Sequence, residues 1–425
     1  THVPGVARRA QAQGLRVTRL VHVLTVPESL RFLRGQPAFM RERGIETHVI
    51  TSPGPLLDRF AREEGVEVHP LPMTRAITPR QDLIALARLT ALLSKLRPDI
   101  VHAHTPKGGL LGTMAARAAR VPRVLYHMRG LPFMGREGVK RRVLMATERV
   151  SCGLADTVIC QSRSLREVAI EHRLVDPRKA LVIGPGGNGV DLRRFDPDGP
   201  ARDRASEIRK NLGIPESARV IGFVGRLVRD KGVVELEEAW RELRARFDDA
   251  HLVLVGPWED EDPVPAETRR ALEQDDRVHL AGETEDVAPY YLLMDVLALP
   301  TYREGFPNVP VEAAAMRVPV VATRIPGCVD AVVDGVTGTL VPPRDATSLA
   351  DALGRYLAGP ELREQQARAA RERVERELSR ERAHAALHAL YVSADSPPQS
   401  STEPRRRSEF ARDRRGASSP PSRLE

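Results

Sequence analysis

The chain has 425 residues, of which 41% are apolar and 4% aromatic, a composition that fits a soluble globular protein with two domains and a sizeable core. No run of 18 or more apolar residues is present, so no transmembrane helix is expected. The net charge of +8 favours an anionic partner. Nucleic acid is not expected, because zinc-finger spacing and aromatic RNA-binding motifs are absent from the sequence.

Cysteine use and the N-terminal sequence bear on the cellular compartment. The three cysteines, Cys152, Cys160 and Cys328, are odd in number and form no C-x-x-C pair. We expect them to be reduced, buried thiols. The first residues lack the pattern of a secretory signal. Together these features predict a cytoplasmic protein.

Residues 17 to about 190 alternate between short apolar runs and helix-like stretches. The first strand is predicted at 17–26, a helix follows at about 29–43, and the next strand covers 46–50. Further strands are expected at 100–103, 123–126, 157–160 and 180–183, with helices at 82–96, 110–120, 139–152 and 165–172. This alternation is typical of a doubly wound parallel sheet.

The second half repeats the alternation over about 203–358. Strands are predicted at 220–224, 251–255, 278–280, 296–299 and 318–321, and long charged helices at about 360–392. Two such units, joined by a hinge near Asp191–Pro200, form two Rossmann-like domains with a cleft between them. Ligands bind such sheets at the carboxyl ends of their strands.

The stretch TYREGFPNVPVEAAAM, at 301–316, follows a strand that ends at Pro300. Asn308 is a suitable N-cap, and Pro310 in the first turn favours a helix that runs to about Met316. A strand therefore leads through a loop to a helix N-terminus, which attracts anions.

Two carboxylates, Glu304 and Glu312, bracket this helix start. Acidic residues near a helix N-terminus are commonly structural. A capping box does not explain Glu312, because the capping-box position is Val311. Two glutamates around Gly305 therefore indicate a site for a ligand with an anionic part and hydroxyl groups.

The segment EGFPNVPVE resembles the Glu-x7-Glu motif of family 4 retaining glycosyltransferases, which have the two-domain glycosyltransferase-B fold. The following AAAMRVPVVATRIPGCVDAVVDGVTGTLVPPRD continues the resemblance, which extends over roughly 17–392 and favours the bacterial polysaccharide and capsule branch. It implies that Glu304 contacts the hydroxyls of the donor sugar and that Glu312 holds the ribose of the nucleotide. It also implies that the last helix crosses back to the N-terminal domain, and that the donor is bound by Gly305, Phe306, Asn308, Val309 and Gly225.

Arg226 and Lys231 lie at a predicted strand end and a predicted helix start. A cation at a helix N-terminus is disfavoured unless an anion shares the site. GRLVRDKG is also similar to the pyrophosphate-binding pattern of the family. Arg226 and Lys231 are therefore predicted to stabilise the leaving nucleoside diphosphate.

The N-terminal domain contributes weaker candidates. Lys107, in HTPKGG, is predicted to meet a phosphate or an anionic acceptor. Family members carry a catalytic His before the glycine that is Gly130 here. Arg129 occupies that position, with His127 two residues earlier, and both are retained as catalytic candidates. His102 and His104 share a strand face, but without a third ligand in sequence reach we expect no metal.

Two further patterns are interpreted as structural. Gly184 to Gly189 satisfies G-x-G-x-x-G, but no apolar-periodic helix follows, so a nicotinamide site is rejected and an interdomain role is favoured. The acidic run Glu259–Asp262 is interpreted as a solvated loop. No cofactor is expected, and in the resembling fold the Arg, the Lys and the helix dipole replace a metal.

Basic residues interleave with apolar ones in two predicted helices. The first set is Arg31, Arg34, Arg41 and Arg43, and the second is Lys140, Arg141, Arg142 and Arg149. Each is either an ordinary surface helix or a surface that faces an anionic membrane carrying a lipid-linked acceptor.

We predict a retaining glycosyltransferase that moves a hexose or N-acetylhexosamine from a nucleoside diphosphate sugar, UDP favoured, to a saccharide or polyprenyl-linked acceptor. The alternatives are a nucleotide-sugar 2-epimerase of the same fold and a non-catalytic sugar-nucleotide-binding protein. The predicted domains are an acceptor domain at 1–196, joined by a helix at about 376–392, and a donor domain at 197–375. Residues 393–425, rich in Ser, Pro and Arg, are predicted to be a disordered basic tail.

Overall fold

The computed structural model describes residues 17–393 and consists of two parallel sheets flanked by helices. The first sheet has strand order β3-β2-β1-β4-β5-β6-β7, and the second has order β10-β9-β8-β11-β12-β13. In both, the order reverses beside the first strand of the domain, which is the position where such folds bind ligands. The doubly wound two-domain prediction is confirmed. The prediction for the basic tail lies almost wholly outside the described residues.

The strands and helices of the described residues are as follows. The strands are β1 Thr18–Val23, β2 Ile45–Thr51, β3 Glu67–Pro70, β4 Ile100–His104, β5 Arg123–Met128, β6 Thr157–Cys160, β7 Ala180–Val182, β8 Arg219–Val224, β9 Ala250–Val255, β10 Val278–Gly282, β11 Val296–Leu299, β12 Val320–Thr323 and β13 Gly338–Val341. The α-helices are α1 Gln36–Arg41, α2 Pro55–Glu64, α3 Pro79–Leu96, α4 Pro106–Ala118, α5 Gly138–Leu154, α6 Arg163–Glu171, α7 Ala201–Asn211, α8 Val233–Arg246, α9 Ala266–Gln274, α10 Ala288–Tyr291, α11 Val309–Ala315, α12 Cys328–Ala331, α13 Ala346–Ala358, α14 Pro360–Glu377 and α15 Arg380–Val392. Short 3₁₀ helices cover Pro27–Leu33, Pro132–Gly135 and Arg229–Lys231.

The central strands are buried on both faces. Every residue of β4, β6, β11 and β12 is buried. Helices cover both sides of a parallel sheet, so its strands are continuous apolar runs rather than alternating ones. This is why β11 and β12 could be recognised in the sequence.

The single helix predicted at 29–43 is wrong. The structure has a 3₁₀ helix over Pro27–Leu33 and a separate α1. Gly35 between them adopts a left-handed conformation with φ 74°, and its N–H donates to Glu64 Oε1 at 2.8 Å. A left-handed residue ends one helix and lets the next start in a new direction.

Two strands were not predicted. β3 is a four-residue edge strand that ends in Pro70, and its outer residues are exposed. β13 begins with Gly338 and is also four residues long. Short strands with Pro or Gly carry little β signal, and here pairing with β2 and β12 determines them.

The final helix returns to the first domain as predicted. The chain crosses between the domains twice at neighbouring points, where Val190 N donates to Leu378 O and Arg380 N donates to Val190 O, each at 2.8–2.9 Å. Gly189 has φ 71°, and a Cβ on it would lie 2.5 Å from Ser379 O. The glycine-rich stretch therefore serves the interdomain crossing, in agreement with its interpretation. Tyr391 of α15 is buried against the first sheet.

The structure also tests the predictions for the three cysteines and for membrane-spanning helices. The three cysteines are free and buried. Burial raises the pKa of Cys160 to about 12, so its thiol is protonated at neutral pH. Among residues 17–393, no helix combines the length and the apolar character that crossing a bilayer requires.

Candidate active site

The loops after β8 and β11 bring two of the predicted residues together. The Glu304 carboxylate forms an ion pair with the Lys231 ammonium group, and the two side chains are only 15% and 19% exposed. Backbone contacts fix the loops to each other, because Tyr302 N donates to Asp230 O at 2.9 Å. The pair is thus held at the carboxyl ends of two neighbouring strands, where the fold is expected to bind its ligand.

Gly305 joins this loop to the first domain. A Cβ on Gly305 would lie 1.9 Å from Arg129 O, so only glycine permits the two backbones to approach this closely. The next residue, Phe306, is buried, and its ring packs against Gly187, where a Cβ would come within 2.6 Å. Gly305 and Phe306 therefore fix the contact between the donor loop and the N-terminal domain.

Glu312 lies in the first turn of α11, where its carboxylate accepts a hydrogen bond from the Tyr291 hydroxyl at 2.9 Å. Burial raises the pKa of Glu312, while the Tyr291 hydrogen bond and nearby arginines oppose the rise. Asn308 and Val309 lie at the start of this helix. Asn308 occupies the predicted N-cap position, but its backbone is helical, with φ −76° and ψ −33°, and its side chain makes no capping hydrogen bond.

Arg226 projects from the loop that follows Gly225 and is exposed. Its guanidinium group donates to Glu259 Oε2 at 2.7 Å. Asp262 Oδ2 accepts a hydrogen bond from Asp230 N at 2.7 Å. The loop at Glu259–Asp262 is largely exposed to solvent, as interpreted, and it also contacts Arg226 and the Lys231 segment. Nothing in the sequence indicated these partners.

Arg129 is a half-buried cation with neutral hydrogen-bond partners. It donates to Asn188 Oδ1 at 2.8 Å, Gln161 Oε1 at 3.3 Å and His104 Nδ1 at 3.1 Å, and its guanidinium group stacks over Phe32 at 4.2 Å. Burial lowers the pKa of Arg129 to about 9, which leaves it charged at neutral pH. Among the described residues, its hydrogen-bond partners include no carboxylate. Its charge is therefore available to an anionic ligand.

Four histidines lie on one face of β1, β4 and β5. His22 pairs with His102 and His104 with His127 in the strand register, and His22 Nδ1 is 2.8 Å from His104 Nε2. Burial lowers the pKa of His22 to about 3 and also lowers those of the other three. The rings are neutral, and His104 accepts a hydrogen bond from Arg129.

The structure thus places His127 beneath the site rather than in it. Its side chain is 4% exposed and stacks on His102 with the ring centroids 5.4 Å apart. A catalytic role for His127 stays a prediction, and the placement favours a supporting one.

Lys107 has partners within its own domain. Its ammonium group contacts Asp82 Oδ1 at 2.7 Å and also the Ala76 carbonyl. A role with phosphate or acceptor stays a prediction and requires Lys107 to leave Asp82.

Arg31 is a site residue that the sequence did not reveal. It was grouped with a basic surface helix, and its side chain is exposed to solvent. Desolvation and the charge of Arg226 lower its pKa, while Glu312 and Glu304 oppose the change, so it lies near the charged residues of the second domain. Arg41, from the same predicted helix, instead donates to Gly65 O at 2.8 Å.

The cleft therefore combines cations from both domains with two carboxylates. Arg31 and Arg129 come from the first domain, and Arg226 and Lys231 from the second. Such a set suits a ligand with a diphosphate and sugar hydroxyls. A separate cavity of about 620 Å³, lined by residues such as Arg163, Asp330 and Arg373, contains none of the predicted donor residues.

Comparison with known proteins identifies the family of the chain. Residues 1–186 match the family model "Glycosyl transferase 4-like domain", and residues 204–373 match "Glycosyl transferases group 1". The chain is 32% identical over 374 residues to the capsular polysaccharide biosynthesis glycosyltransferase CapM of Staphylococcus aureus, covering 88% of this chain and 96% of that protein. The chain belongs to glycosyltransferase family 4.

Two further proteins are similar to this family 4 glycosyltransferase, one in sequence and one in structure. It is 31% identical over 309 residues to an Escherichia coli UDP-Gal:alpha-D-GlcNAc-diphosphoundecaprenol alpha-1,3-galactosyltransferase, covering 71% of this chain and 77% of that one. A structure of Alr3699/HepE from Anabaena in complex with UDP and glucose superposes with a TM-score of 0.74 at 20% identity, covering 88% and 99% of the two chains. The second similarity supports the glycosyltransferase-B fold.

Proposed function

We propose that this glycosyltransferase transfers a hexose or N-acetylhexosamine, with retention of anomeric configuration, from a nucleoside diphosphate sugar to a lipid-linked saccharide. UDP is the favoured nucleotide. The product is a cell-surface polysaccharide or glycoconjugate. A single observation carries the proposal: Lys231, Glu304 and Arg226 converge on one cleft with Arg129 of the opposite domain.

The residues have separate tasks in this proposal. Arg226, Lys231 and Arg129 bind the diphosphate and neutralise the charge that grows on it as the glycosidic bond breaks. Glu304 accepts hydrogen bonds from the hydroxyls of the donor sugar, and its ion pair with Lys231 orients this carboxylate. Glu312, held by Tyr291 at 2.9 Å, accepts from the ribose hydroxyls.

Retention follows from attack on the face that the diphosphate leaves. The bond between the acceptor oxygen and C1 forms as the bond from C1 to the phosphate oxygen breaks. The leaving phosphate accepts the proton of the acceptor hydroxyl. This route needs no protein nucleophile, and Glu304 is engaged with Lys231.

The relatives support the proposed classes of donor and acceptor. The E. coli relative is described as using UDP-Gal and an acceptor on diphosphoundecaprenol. Other relatives are described in capsular polysaccharide and teichuronic acid biosynthesis. We infer a donor and an acceptor of the same chemical classes here.

The surface around α5 supports a lipid-linked acceptor. Val139 and Val143 are 75% and 40% exposed, beside the exposed Lys140 and Arg142. Met134, in the preceding segment, is exposed as well. Exposed aliphatic side chains between cations are typical of a surface that lies on an anionic membrane. The enzyme is thus proposed to act at the cytoplasmic face of a membrane.

The donor proposal is tested by thermal unfolding with UDP, GDP, ADP and their sugar conjugates. One diphosphate should raise the melting temperature, since a ligand at 100 times its Kd stabilises a protein by about 2.7 kcal/mol. The shift should be lost in Lys231→Met and kept in Lys210→Met, an exposed lysine of α7. No shift with any diphosphate would contradict the proposed site.

The membrane proposal is tested by co-sedimentation with vesicles that contain phosphatidylglycerol. Replacement of Lys140, Arg141 and Arg142 by Gln should reduce binding, and high salt should reduce it for the wild type. Replacement of Arg270, Arg368 and Arg376, three exposed arginines of α9 and α14, removes the same charge and should not. Equal binding by the two triple variants would contradict the proposal.

A further inference from the structure

Two histidines and a glutamate share one face of the outer strands β2 and β3. His48 of β2 pairs in register with Glu67 of β3, and His69 lies two residues beyond Glu67. Residues two apart on a strand point to the same face, as do register partners on neighbouring parallel strands. The three side chains are thus brought together by the sheet itself, although 18 residues separate His48 from Glu67 in the chain.

Their potential ligand atoms form a compact triangle. His48 Nδ1 is 3.1 Å from His69 Nε2, His48 Nδ1 is 3.7 Å from Glu67 Oε2, and His69 Nε2 is 3.7 Å from Glu67 Oε1. Ligand atoms around tetrahedral Zn²⁺, at bond lengths of about 2.0–2.1 Å, are about 3.3 Å apart. An ion could therefore contact all three groups with only small movements of the side chains.

A second carboxylate stands behind His48. Its other ring nitrogen, Nε2, is 3.3 Å from Glu46 Oε1, and Glu46 Oε2 accepts a hydrogen bond from Arg19 Nε at 3.2 Å. A metal-bound histidine commonly has its free ring nitrogen next to a carboxylate, which orients the ring and makes it a better ligand. Arg19 holds Glu46 close to His48, whose Nε2 is buried and makes no hydrogen bond, so a small rotation of the carboxylate would complete that arrangement.

The group is accessible from solvent on one side. The His48 side chain is 3% exposed, that of His69 is 16% exposed and that of Glu67 is 58% exposed. A metal ion can enter past Glu67, and water can occupy a fourth position.

Other histidine groups in the chain are less suitable. In the described residues, His22, His102 and His104 also approach one another, but Arg129 donates to His104 and places a positive charge beside them. His251 and His279 stack in the second domain with His251 Nδ1 2.8 Å from His279 Nε2. That pair is not part of a group of three metal-ligating side chains in the described region.

We propose that His48, Glu67 and His69 bind a zinc ion, with water as the fourth ligand. The ion ties the edge strand β3 to β2 and so stabilises the rim of the first sheet. It takes no part in glycosyl transfer, because the group lies on the outer strands β2 and β3 and includes none of the donor-site residues. This site is independent of the proposed function.

The test is a zinc titration of chelator-treated, full-length protein at neutral pH against a chromophoric chelator, together with thermal unfolding. Wild type should bind zinc and unfold at a higher temperature with it. His69→Ala should bind one equivalent less and lose that shift. His279→Ala, which breaks the matched pair in the second domain, should behave as wild type.

Two milder variants guard against simple misfolding. Glu67→Gln changes an exposed side chain and should weaken zinc binding at least tenfold. Glu46→Gln should weaken it about 10- to 100-fold, as expected for a residue behind a metal ligand. A wild-type protein that binds no zinc would overturn the proposal, as would full zinc stoichiometry in His69→Ala.

Discussion

The ion pair of Glu304 and Lys231 is the residue-scale feature on which the proposed chemistry depends. Glu304→Gln keeps the size of the side chain and removes its charge. We expect kcat/KM for transfer to fall about 10²- to 10³-fold, the usual effect of removing one positioned group at a developing charge. Initial rates with the stabilising donor measure this. Glu267→Gln, an exposed carboxylate of α9, is the control, and wild-type turnover by Glu304→Gln would refute the assignment.

In the proposed mechanism, Glu259 competes with the donor for Arg226, to which it is hydrogen-bonded at 2.7 Å. Glu259→Gln should tighten nucleoside diphosphate binding, because a phosphate no longer has to displace a carboxylate. Exposed ion pairs contribute about 0.2–1 kcal/mol, so the gain should not exceed about fivefold. Isothermal titration of both proteins decides the sign. Weaker binding by the variant would mean that Glu259 itself contacts the donor.

Some candidate site residues could be predicted from their residue type and local spacing. Glu304, Lys231 and Arg226 lie at predicted strand ends or helix starts, and the family resemblance also indicates them. No sequence pattern indicated Arg31, Asn188 or Gln161. Arg31 lies near the cleft because the segment after β1 folds as a 3₁₀ helix. Asn188 and Gln161 reach Arg129 because the glycine-rich crossing and the end of β6 lie beside it. Each of these placements depends on tertiary packing.

At the scale of elements, the loop after β11 meets the end of β5 at Gly305. Gly305→Ala should lower kcat/KM strongly, because its Cβ would lie 1.9 Å from Arg129 O and would push the two loops apart. The neighbouring Gly130 is the matched control, since a Cβ there meets nothing within 4 Å. Kinetics of both variants, with circular dichroism to confirm folding, test this. Equal activity of the two would show that the close contact is dispensable.

The packing of α5 on β5 includes a buried carboxylate. The Tyr126 hydroxyl donates to Glu148 Oε2 at 2.7 Å, yet burial raises the pKa of Glu148 from 4.5 to about 7. The folded state therefore holds the proton more tightly than the unfolded state. The free energy of unfolding should fall by roughly 3 kcal/mol as pH rises from about 4.5 to 7, and then stay level.

Urea unfolding at several pH values tests this effect. Glu148→Gln keeps a hydrogen-bond acceptor for Tyr126 and removes the titration, so its advantage over wild type should grow between pH 5 and 8. Glu137→Gln, an exposed carboxylate just before α5, should show no such growth. A constant difference between Glu148→Gln and wild type across this range would contradict the burial argument.

Some strands can be recognised from their own sequence, whereas others are defined by the strands with which they pair. β11 and β12 are continuous apolar runs and were predicted within two residues. β3 and β13 are short and contain Pro70 or Gly338, so only their sheet partners define them. The helix predicted at 29–43 failed at Gly35, whose left-handed conformation is supported by a hydrogen bond to Glu64 from another helix.

In the molecule as a whole, α15 is the last helix of the described chain and packs against the first domain. The Tyr391 hydroxyl lies 2.6 Å from His102 Nδ1 and accepts a hydrogen bond from Gln36 Nε2 at 3.1 Å. Tyr391→Phe should lower the free energy of unfolding by about 1–3 kcal/mol, because two buried polar groups lose their partner. Urea unfolding, with Tyr290→Phe as the control, measures this. An unchanged midpoint would mean that water replaces the hydroxyl.

Direct contacts also connect the two domains beside the end of α14, where Arg373 donates a hydrogen bond to Asp330 O at 2.6 Å. The Asp330 carboxylate accepts hydrogen bonds from Arg163 N at 3.1 Å and Ser164 N at 3.2 Å, at the start of α6. Together with the contact between Gly305 and Arg129, these bonds set the width of the cleft. The resemblance predicted that two domains face each other, but which residues touch depended on loop conformations that the sequence does not determine.

The most direct test of the account follows the anomeric carbon through the reaction. The enzyme is incubated with a ¹³C-labelled α-linked nucleoside diphosphate sugar and lipid-linked acceptors, and the product is examined by NMR. The proposed retaining mechanism predicts transfer with an α linkage in the product and no transfer by Glu304→Gln. A β linkage, or release of an epimerised free sugar without transfer, would contradict it.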